Sequence, residues 1–372
     1  MTTDPEEPFL PTPRSKWLDG FRGFAALLVF MNHFCTLAGE RWSRHSPSAK
    51  PWITPLDRLG EGAVGLFFAL SGLLILGSLA RSQSDVWLFW RRRLCRVMPV
   101  YWTVLLLYLL ASWMIPAASK IPAAPIPAAL YLSLNALLLP VIFLPEPMIS
   151  VSWTLGYELL FYLLIPLWVF WIVEKSPSFK TKIVVLGAIA STMVCWCALR
   201  GGPYPVALFL VGMLVYEQAR SGWRLPAYWD RPILGMLGLI VSGLLPWSSP
   251  SLVLSKTILQ GASAWLLLSA GLTNAGPQQT ARYFSWLPLV RLGRISYSFY
   301  LIHGLCLQLV FWCLDRFPSA NGFPLFAILL ALPLASFLSW LAASQLYRQI
   351  ELPWYQGARK HQEEVSRDSQ TA

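Results

Sequence analysis

Apolar runs long enough to cross a bilayer recur along most of this chain, and such segments have few folds open to them. In hydrocarbon every backbone N–H and C=O must be paired within the protein, which leaves helices and closed barrels. A spanning helix needs about 20 mostly apolar residues. Ten runs qualify: 21–38, 62–80, 97–115, 151–173, 183–199, 203–219, 232–247, 252–273, 295–314 and 323–347. The expected fold class is all-α, a polytopic membrane helix bundle of about ten transmembrane helices. Composition agrees: 56% of residues are hydrophobic, 13% are charged, and mean hydropathy is +0.53. A soluble domain carries about twice that charged share. The 19 Trp and 29 Pro suit interfacial aromatic belts and abruptly ended helices. Residues 1–16 are polar and acidic, without a short apolar core or small-residue cleavage site. The first run is therefore expected to stay as a helix rather than leave as a signal peptide.

An eleventh apolar stretch, 128–144, is hemmed by Pro122, Pro125, Pro127 and Pro140, and whether it crosses decides the orientation of everything after it. Basic residues discriminate. With a cytoplasmic N-terminus and no crossing at 128–144, inside segments hold 20 Arg and Lys and outside segments 7. If 128–144 crossed, the later loops would put 13 outside and 2 inside. The positive-inside tendency favours the first arrangement. Both termini are then expected in the cytoplasm, with 128–144 re-entrant or at the outer interface. Tails 1–16 and 357–372 are expected to flank one membrane domain, 17–356, with disorder expected in the charged second tail. Topology and anionic headgroups explain the net charge of +11 without a nucleic-acid partner.

Ionisable side chains inside spans are costly and call for a role. His33, Glu158, Lys256 and His303 lie deep, and Arg22 sits at the inner mouth of the first span. Arg22 and His33 are eleven residues apart, about 1100° of helical rotation, so they share one face roughly 16 Å apart along the axis. An arginine gripping phosphates at one end and a histidine at a thioester at the other would suit the pantetheine arm of coenzyme A. Counted from the outer ends of their spans, Glu158 and His33 lie at similar depth, about 10 and 8 Å. They read as an acid–base centre or as a structural polar pair. Lys256, near the outer end of its run, reads as a snorkelling side chain. His303, after Tyr297, Ser298 and Tyr300, reads as a helix–helix hydrogen bond or an active-site contact. The cluster Arg91-Arg92-Arg93-Leu94-Cys95-Arg96 is a topology anchor, a phosphate-binding patch, or both.

Gly60-Glu61-Gly62-Ala63-Val64-Gly65 matches the dinucleotide fingerprint in letters only, because that motif needs a preceding strand. Close helix packing is the better reading. The six Cys have neither metal-ligand spacing nor a disulfide framework and read as small core residues; Cys195 and Cys197 face two sides of one helix. No metal site is expected.

The chain resembles the acyltransferase 3 family of membrane O-acyltransferases. The resemblance is carried by Trp17-Leu18-Asp19-Gly20-Phe21-Arg22-Gly23 leading to His33, and by Gly65-Leu66-Phe67-Phe68-Ala69-Leu70-Ser71-Gly72. Further blocks are Arg93-Leu94-Cys95-Arg96 with Pro99 and Tyr101-Trp102, and Ser152-Trp153-Thr154-Leu155 with Glu158 and Phe161-Tyr162. Leu292-Gly293-Arg294-Ile295-Ser296-Tyr297-Ser298 through His303, and Glu351-Leu352-Pro353, complete the ordered set. Two departures stand out: Glu158 is followed by Leu159 where relatives often carry a second acidic residue, and the soluble esterase-like domain of many relatives does not follow. The resemblance implies a bacterial inner-membrane enzyme that moves an acyl group, acetyl being expected, from acyl-CoA to a hydroxyl of a surface polysaccharide, glycolipid or glycoside. It implies His33 as general base or acyl carrier, Glu158 as the carboxylate orienting it, and Arg22, Arg93 and Arg96 as donor-phosphate ligands. Asp19, Ser71, Ser152, Tyr300 and His303 are expected to contact substrate or support the site. Expected partners are membrane lipid, the carbohydrate or glycolipid acceptor and other envelope-glycan biosynthesis proteins. The alternative is a proton-coupled transporter or flippase, in which the same His and Glu relay protons.

Overall fold

The computed structural model describes residues 15–43, 50–81, 85–116, 119–139, 146–173, 175, 178–245, 249–272, 279–316 and 324–357. Among them every regular element is helical. Eight helices are long and apolar enough to cross a membrane, so the expected polytopic bundle is present. The tail after residue 357 lies outside the described residues. The chain divides into two compact units, one comprising residues 1–39, 50–81 and 165–294, the other 40–49, 82–164 and 295–372.

The first unit contains most of α1 (Lys16–Ser43), then α2 (Lys50–Arg81), α6 (Phe179–Arg200), α7 (Leu208–Arg220), α8 (Pro232–Leu244), α9 (Pro250–Leu272), α10 (Gln279–Phe284) and α11 (Leu287–Arg294). Helix α2 packs along α7 and also meets α8 and α9. The α2–α7 approach is backbone to backbone: a Cβ on Gly72 would lie 2.0 Å from the Phe209 carbonyl oxygen, and one on Gly212 1.8 Å from that of Ala69. Residues 60–65 lie inside α2, where a Cβ on Gly60 would sit 2.2 Å from Asn32, so this glycine run serves helix packing and not a nucleotide loop.

Two expected spans are shorter than their apolar runs. Helices α7 and α8 have 13 residues each, about 20 Å against a hydrocarbon core of about 30 Å. A 3₁₀ turn, Tyr204–Ala207, delays the start of α7, and α8, which starts at Pro232 as expected, ends where Leu245 turns extended. Lys256 does not snorkel. It is 0% exposed, because α9 is enclosed by α2, α7 and α8. A second buried charge is balanced directly: Lys182 Nζ lies 2.6 Å from Glu217 Oε2, and Trp168 donates to the other carboxylate oxygen. Of the six cysteines, Cys35, Cys197 and Cys306 are buried, but Cys195 and Cys313 are exposed on helix faces that also present large apolar side chains. The core reading holds for the first three only.

The second unit holds α3 (Val86–Met114), α4 (Pro125–Ala136), most of α5 (Trp153–Trp168), α12 (Ser296–Leu314) and α13 (Pro324–Leu346). Asp85 caps α3 by accepting from the Leu88 amide at 2.9 Å. This start, well before the expected 97, places Arg91 to Arg96 within the helix rather than ahead of it. Helix α4, which overlaps the disputed apolar stretch, has 12 residues, about 18 Å and too short to cross. Asn135 organises its end: the side chain donates to the Tyr131 carbonyl and accepts from the Met148 amide, while the Tyr101 hydroxyl of α3 donates to the Asn135 carbonyl at 2.6 Å. Helix α12 packs on α13 and α3. A π-helical turn, Tyr347–Glu351, follows α13 and carries the helical path past the expected end at 347. Its wider register brings Glu351, 7% exposed, to the interior.

Candidate active site

In the first unit the candidate groups ride on α1. One unbroken helix carries Asp19, Arg22 and His33, as the spacing required. His33 Nδ1 lies 2.9 Å from the Val29 carbonyl oxygen four residues back. A carbonyl only accepts, so Nδ1 carries the proton, and in neutral imidazole Nε2 keeps its lone pair. The ring is half-buried. Near the start of the helix, Arg22 Nη1 is 3.8 Å from Asp19 Oδ1, and Arg294 Nε is 3.7 Å from Asp19 Oδ2. Ser71, half-buried on α2, belongs to the same unit.

The second unit gathers Arg93, Arg96, Ser152, Glu158, Tyr300 and His303. Arg93 and Arg96 are three residues apart on α3 and so share a face. The Arg93 guanidinium lies 5.5 Å from the Tyr162 ring and 5.9 Å from that of Phe89, buried between aromatic surfaces. Arg96 lies within electrostatic reach of Glu351, Tyr162 and Glu158. Tyr162, one turn after Glu158 on α5, donates its hydroxyl to the Glu158 carboxylate at 2.5 Å. Ser298, at the start of α12, donates to Glu351 at 2.6 Å, and Tyr297 donates to the Val97 carbonyl at 2.6 Å. Two arginines and two carboxylates thus gather in one cluster, Arg93 and Glu351 buried and Arg96 and Glu158 half-buried.

One turn along α12, Tyr300 shares a hydrogen bond of 2.9 Å with Thr154 and donates to the Val151 carbonyl. His303 repeats the device of His33: Nδ1 donates to the Phe299 carbonyl at 3.1 Å. Its ring stacks on Phe299 and is 1% exposed. Ser152 is buried in the 3₁₀ turn that opens α5.

Four participants escape a reading of the sequence alone: Tyr162, Ser298, Glu351 and Arg294. Glu351 lies four residues beyond the expected end of the last run, so it does not register as an intramembrane charge. Arg294 counts there only as a loop cation, and its partner Asp19 is far away in sequence. Both sit within matched blocks, which is the one signal that marks them. Among the described residues no cluster of three or more His, Cys, Asp or Glu could hold a metal ion.

Comparison with known proteins identifies the family. A family model for the acyltransferase domain, acyltransferase 3, matches residues 15–343. Acyltransferase MdmB of Streptomyces mycarofaciens is 30% identical over 315 residues, an alignment covering 78% of each chain. No solved structure matches the chain.

Proposed function

Because the chain belongs to the acyltransferase 3 family and is a multi-pass membrane enzyme that transfers acyl groups, we propose that it moves an acyl group, acetyl foremost, from acyl-CoA to a hydroxyl of a surface polysaccharide, glycolipid or glycoside. Its place in this reading is the bacterial inner membrane, with both termini cytoplasmic and envelope-glycan enzymes as neighbours. The observation that carries the reading is the state of His33. The bond to the Val29 carbonyl fixes the tautomer, so Nε2 is the basic nitrogen, and it lies on the same helix as Arg22.

Two routes use that nitrogen. As general base, Nε2 takes the acceptor's hydroxyl proton while the oxygen attacks the thioester carbonyl. The C–S bond then breaks, and the leaving thiolate recovers the proton from the imidazolium. As nucleophile, Nε2 attacks the thioester itself and releases the thiolate. The acyl-imidazole then passes its acyl group to the hydroxyl, whose proton goes to the thiolate. Arg22 is assigned to the donor's phosphates. Arg93 and Arg96, enclosed by aromatic rings and carboxylates, are assigned to holding α3, α5 and α12 in register. Glu158, held by Tyr162, is the second candidate catalytic group.

The test is the ester-linked acyl content of envelope glycans and glycolipids in cells expressing wild type or His33→Ala at matched membrane abundance. Esters present with wild type and lost with the variant support the reading and identify the acceptor. Esters equal in the two remove His33 from the mechanism. Substrate flux driven by a pH gradient, without acyl-CoA consumption, would replace it with a transporter.

A further inference from the structure

We infer that the exposed face of the segment running from α10 through α11 binds the headgroups of anionic phospholipids, and that lipid held there seats the start of α1. The inference goes beyond the proposed reaction and holds whichever thioester or acceptor the enzyme uses.

Chain connectivity puts the segment at a membrane surface. It joins α9, which ends at Leu272, to α12, which starts at Ser296, and both are long and apolar enough to cross. Helix α10 has six residues and α11 eight, about 9 and 12 Å, so neither crosses. The segment has two unlike faces. Phe284, Val290 and Gly293 are buried, whereas Arg282, Tyr283, Trp286, Leu287, Arg291 and Arg294 are exposed. Within α11, Leu287, Arg291 and Arg294 lie within about 60° of one another around the axis, so they form one outward strip.

The chemistry of that face selects the partner. Tyr and Trp rings gather where hydrocarbon meets headgroups, and basic side chains there attract anionic lipid. Tyr283 and Trp286 are 64% and 62% exposed, and arginines flank them on both sides. No Asp or Glu occurs in the sequence between Asp230 and Asp315. Asp230 itself is 1% exposed and turned to another use: it accepts from the Gln279 and Thr280 amides at 2.9 and 3.2 Å. These two bonds pin the start of α10 to the chain between α7 and α8, where Trp229 and Arg231, both exposed, flank Asp230. Rings and cations therefore continue from one segment to the other, and a negatively charged headgroup is their complement.

The buried face links this surface to α1. A Cβ on Gly20 would lie 1.5 Å from the Phe284 carbonyl oxygen, one on Gly23 2.0 Å from that of Leu289, and one on Gly293 1.6 Å from that of Asp19. Only hydrogen fits between the main chains at these three points. Phe21 and Phe24 close on Phe284 with ring centroids 5.1 and 5.6 Å apart. Packing this close leaves α10–α11 no room to shift without α1, the helix that carries His33. Lipid that holds the segment at the membrane surface thereby holds α1.

The test counts bound lipid by native mass spectrometry as full-length protein in detergent is titrated with phosphatidylglycerol or with phosphatidylcholine. Wild type is compared with Arg282→Gln/Arg291→Gln and with a control, Lys175→Gln/Lys180→Gln, which removes two exposed cations before and at the start of α6. Matched unfolding midpoints show that all three are folded. Each arginine is expected to contribute about 5-fold to phosphatidylglycerol affinity, about 25-fold for the pair. Phosphatidylcholine binding stays unchanged, and the control stays close to wild type. An equal loss in the control makes the effect one of overall charge and overturns the site, as does a loss for both lipids alike or for neither. Displacement of phosphatidylglycerol by equimolar glycerol 3-phosphate assigns the face to soluble phosphates and overturns the lipid partner. The seating of α1 is read separately, by hydrogen exchange in vesicles. Residues 16–24 are expected to exchange more slowly in phosphatidylglycerol than in phosphatidylcholine for wild type, and equally in the two lipids for the arginine variant. Wild-type exchange that is the same in both lipids overturns the seating.

Discussion

At the start of α1, Arg22 and Arg294 share one carboxylate, Asp19, and both guanidiniums are at least partly open. In the second unit, Arg93 and Arg96 sit among two carboxylates, Glu158 and Glu351, and three tyrosine or phenylalanine rings. The residue types are the same and the surroundings differ. A buried charge without compensation is expensive, and the inner cluster sets two carboxylates within reach of its arginines. Near α1 the side chains of Arg22 and Arg294 are 19% and 59% exposed, so water reaches both. Arginine in a membrane enzyme is therefore not by itself a ligand site; its exposure decides what it can meet.

The largest effect that could break this comparison is on stability. Glu351→Ala removes the acceptor of Ser298 and one of the charges facing Arg96, and is expected to cost about 3–5 kcal/mol in folding. The unfolding midpoint in detergent reads it, and a midpoint equal to wild type would move Glu351 out of the scaffold. Next comes Arg22→Gln. It should lower kcat/KM for acetyl-CoA about 10- to 100-fold, while stability changes by about 1 kcal/mol or less, as for a partly exposed pair. A large loss of stability with kcat/KM intact would make the two sites alike. Tyr162→Phe deletes the hydroxyl that Glu158 accepts and should cost about 1–2 kcal/mol, since the carboxylate is half-buried and water can replace part of the bond. Smallest is Arg93→Lys, which keeps the charge and loses the flat stacking between Phe89 and Tyr162, worth about 1 kcal/mol. A loss as large as that of Glu351→Ala would show that Arg93 makes a direct bond that a lysine cannot.

Much of this was legible in the sequence. Apolar length alone located the eight long helices, and the eleven-residue spacing of Arg22 and His33 placed both on one continuous α1. The errors have physical causes. Hydropathy measures composition and not helix length, so the runs at 203–219 and 232–247 become helices of 13 residues, the first delayed by a 3₁₀ turn and the second ended where Leu245 turns extended. It is equally blind to what surrounds a helix. Lys256 looks free to reach the interface, yet neighbouring helices cover it completely. The last span was cut short because Arg348 and Glu351 end the apolar run, whereas the backbone continues through a π-helical turn that rotates Glu351 inward. Arg294 depends on a contact with Asp19 that no local pattern encodes.

The account stands or falls on His33 Nε2. The most direct measurement follows acetyl-CoA consumption and ester formation by purified protein in vesicles, wild type beside His33→Ala, with matched unfolding midpoints showing that both are folded. The account predicts that ester forms one for one with thiol released in wild type and falls at least about 100-fold in the variant, the usual weight of an acid–base group. Ester formation by His33→Ala at the wild-type rate would contradict it.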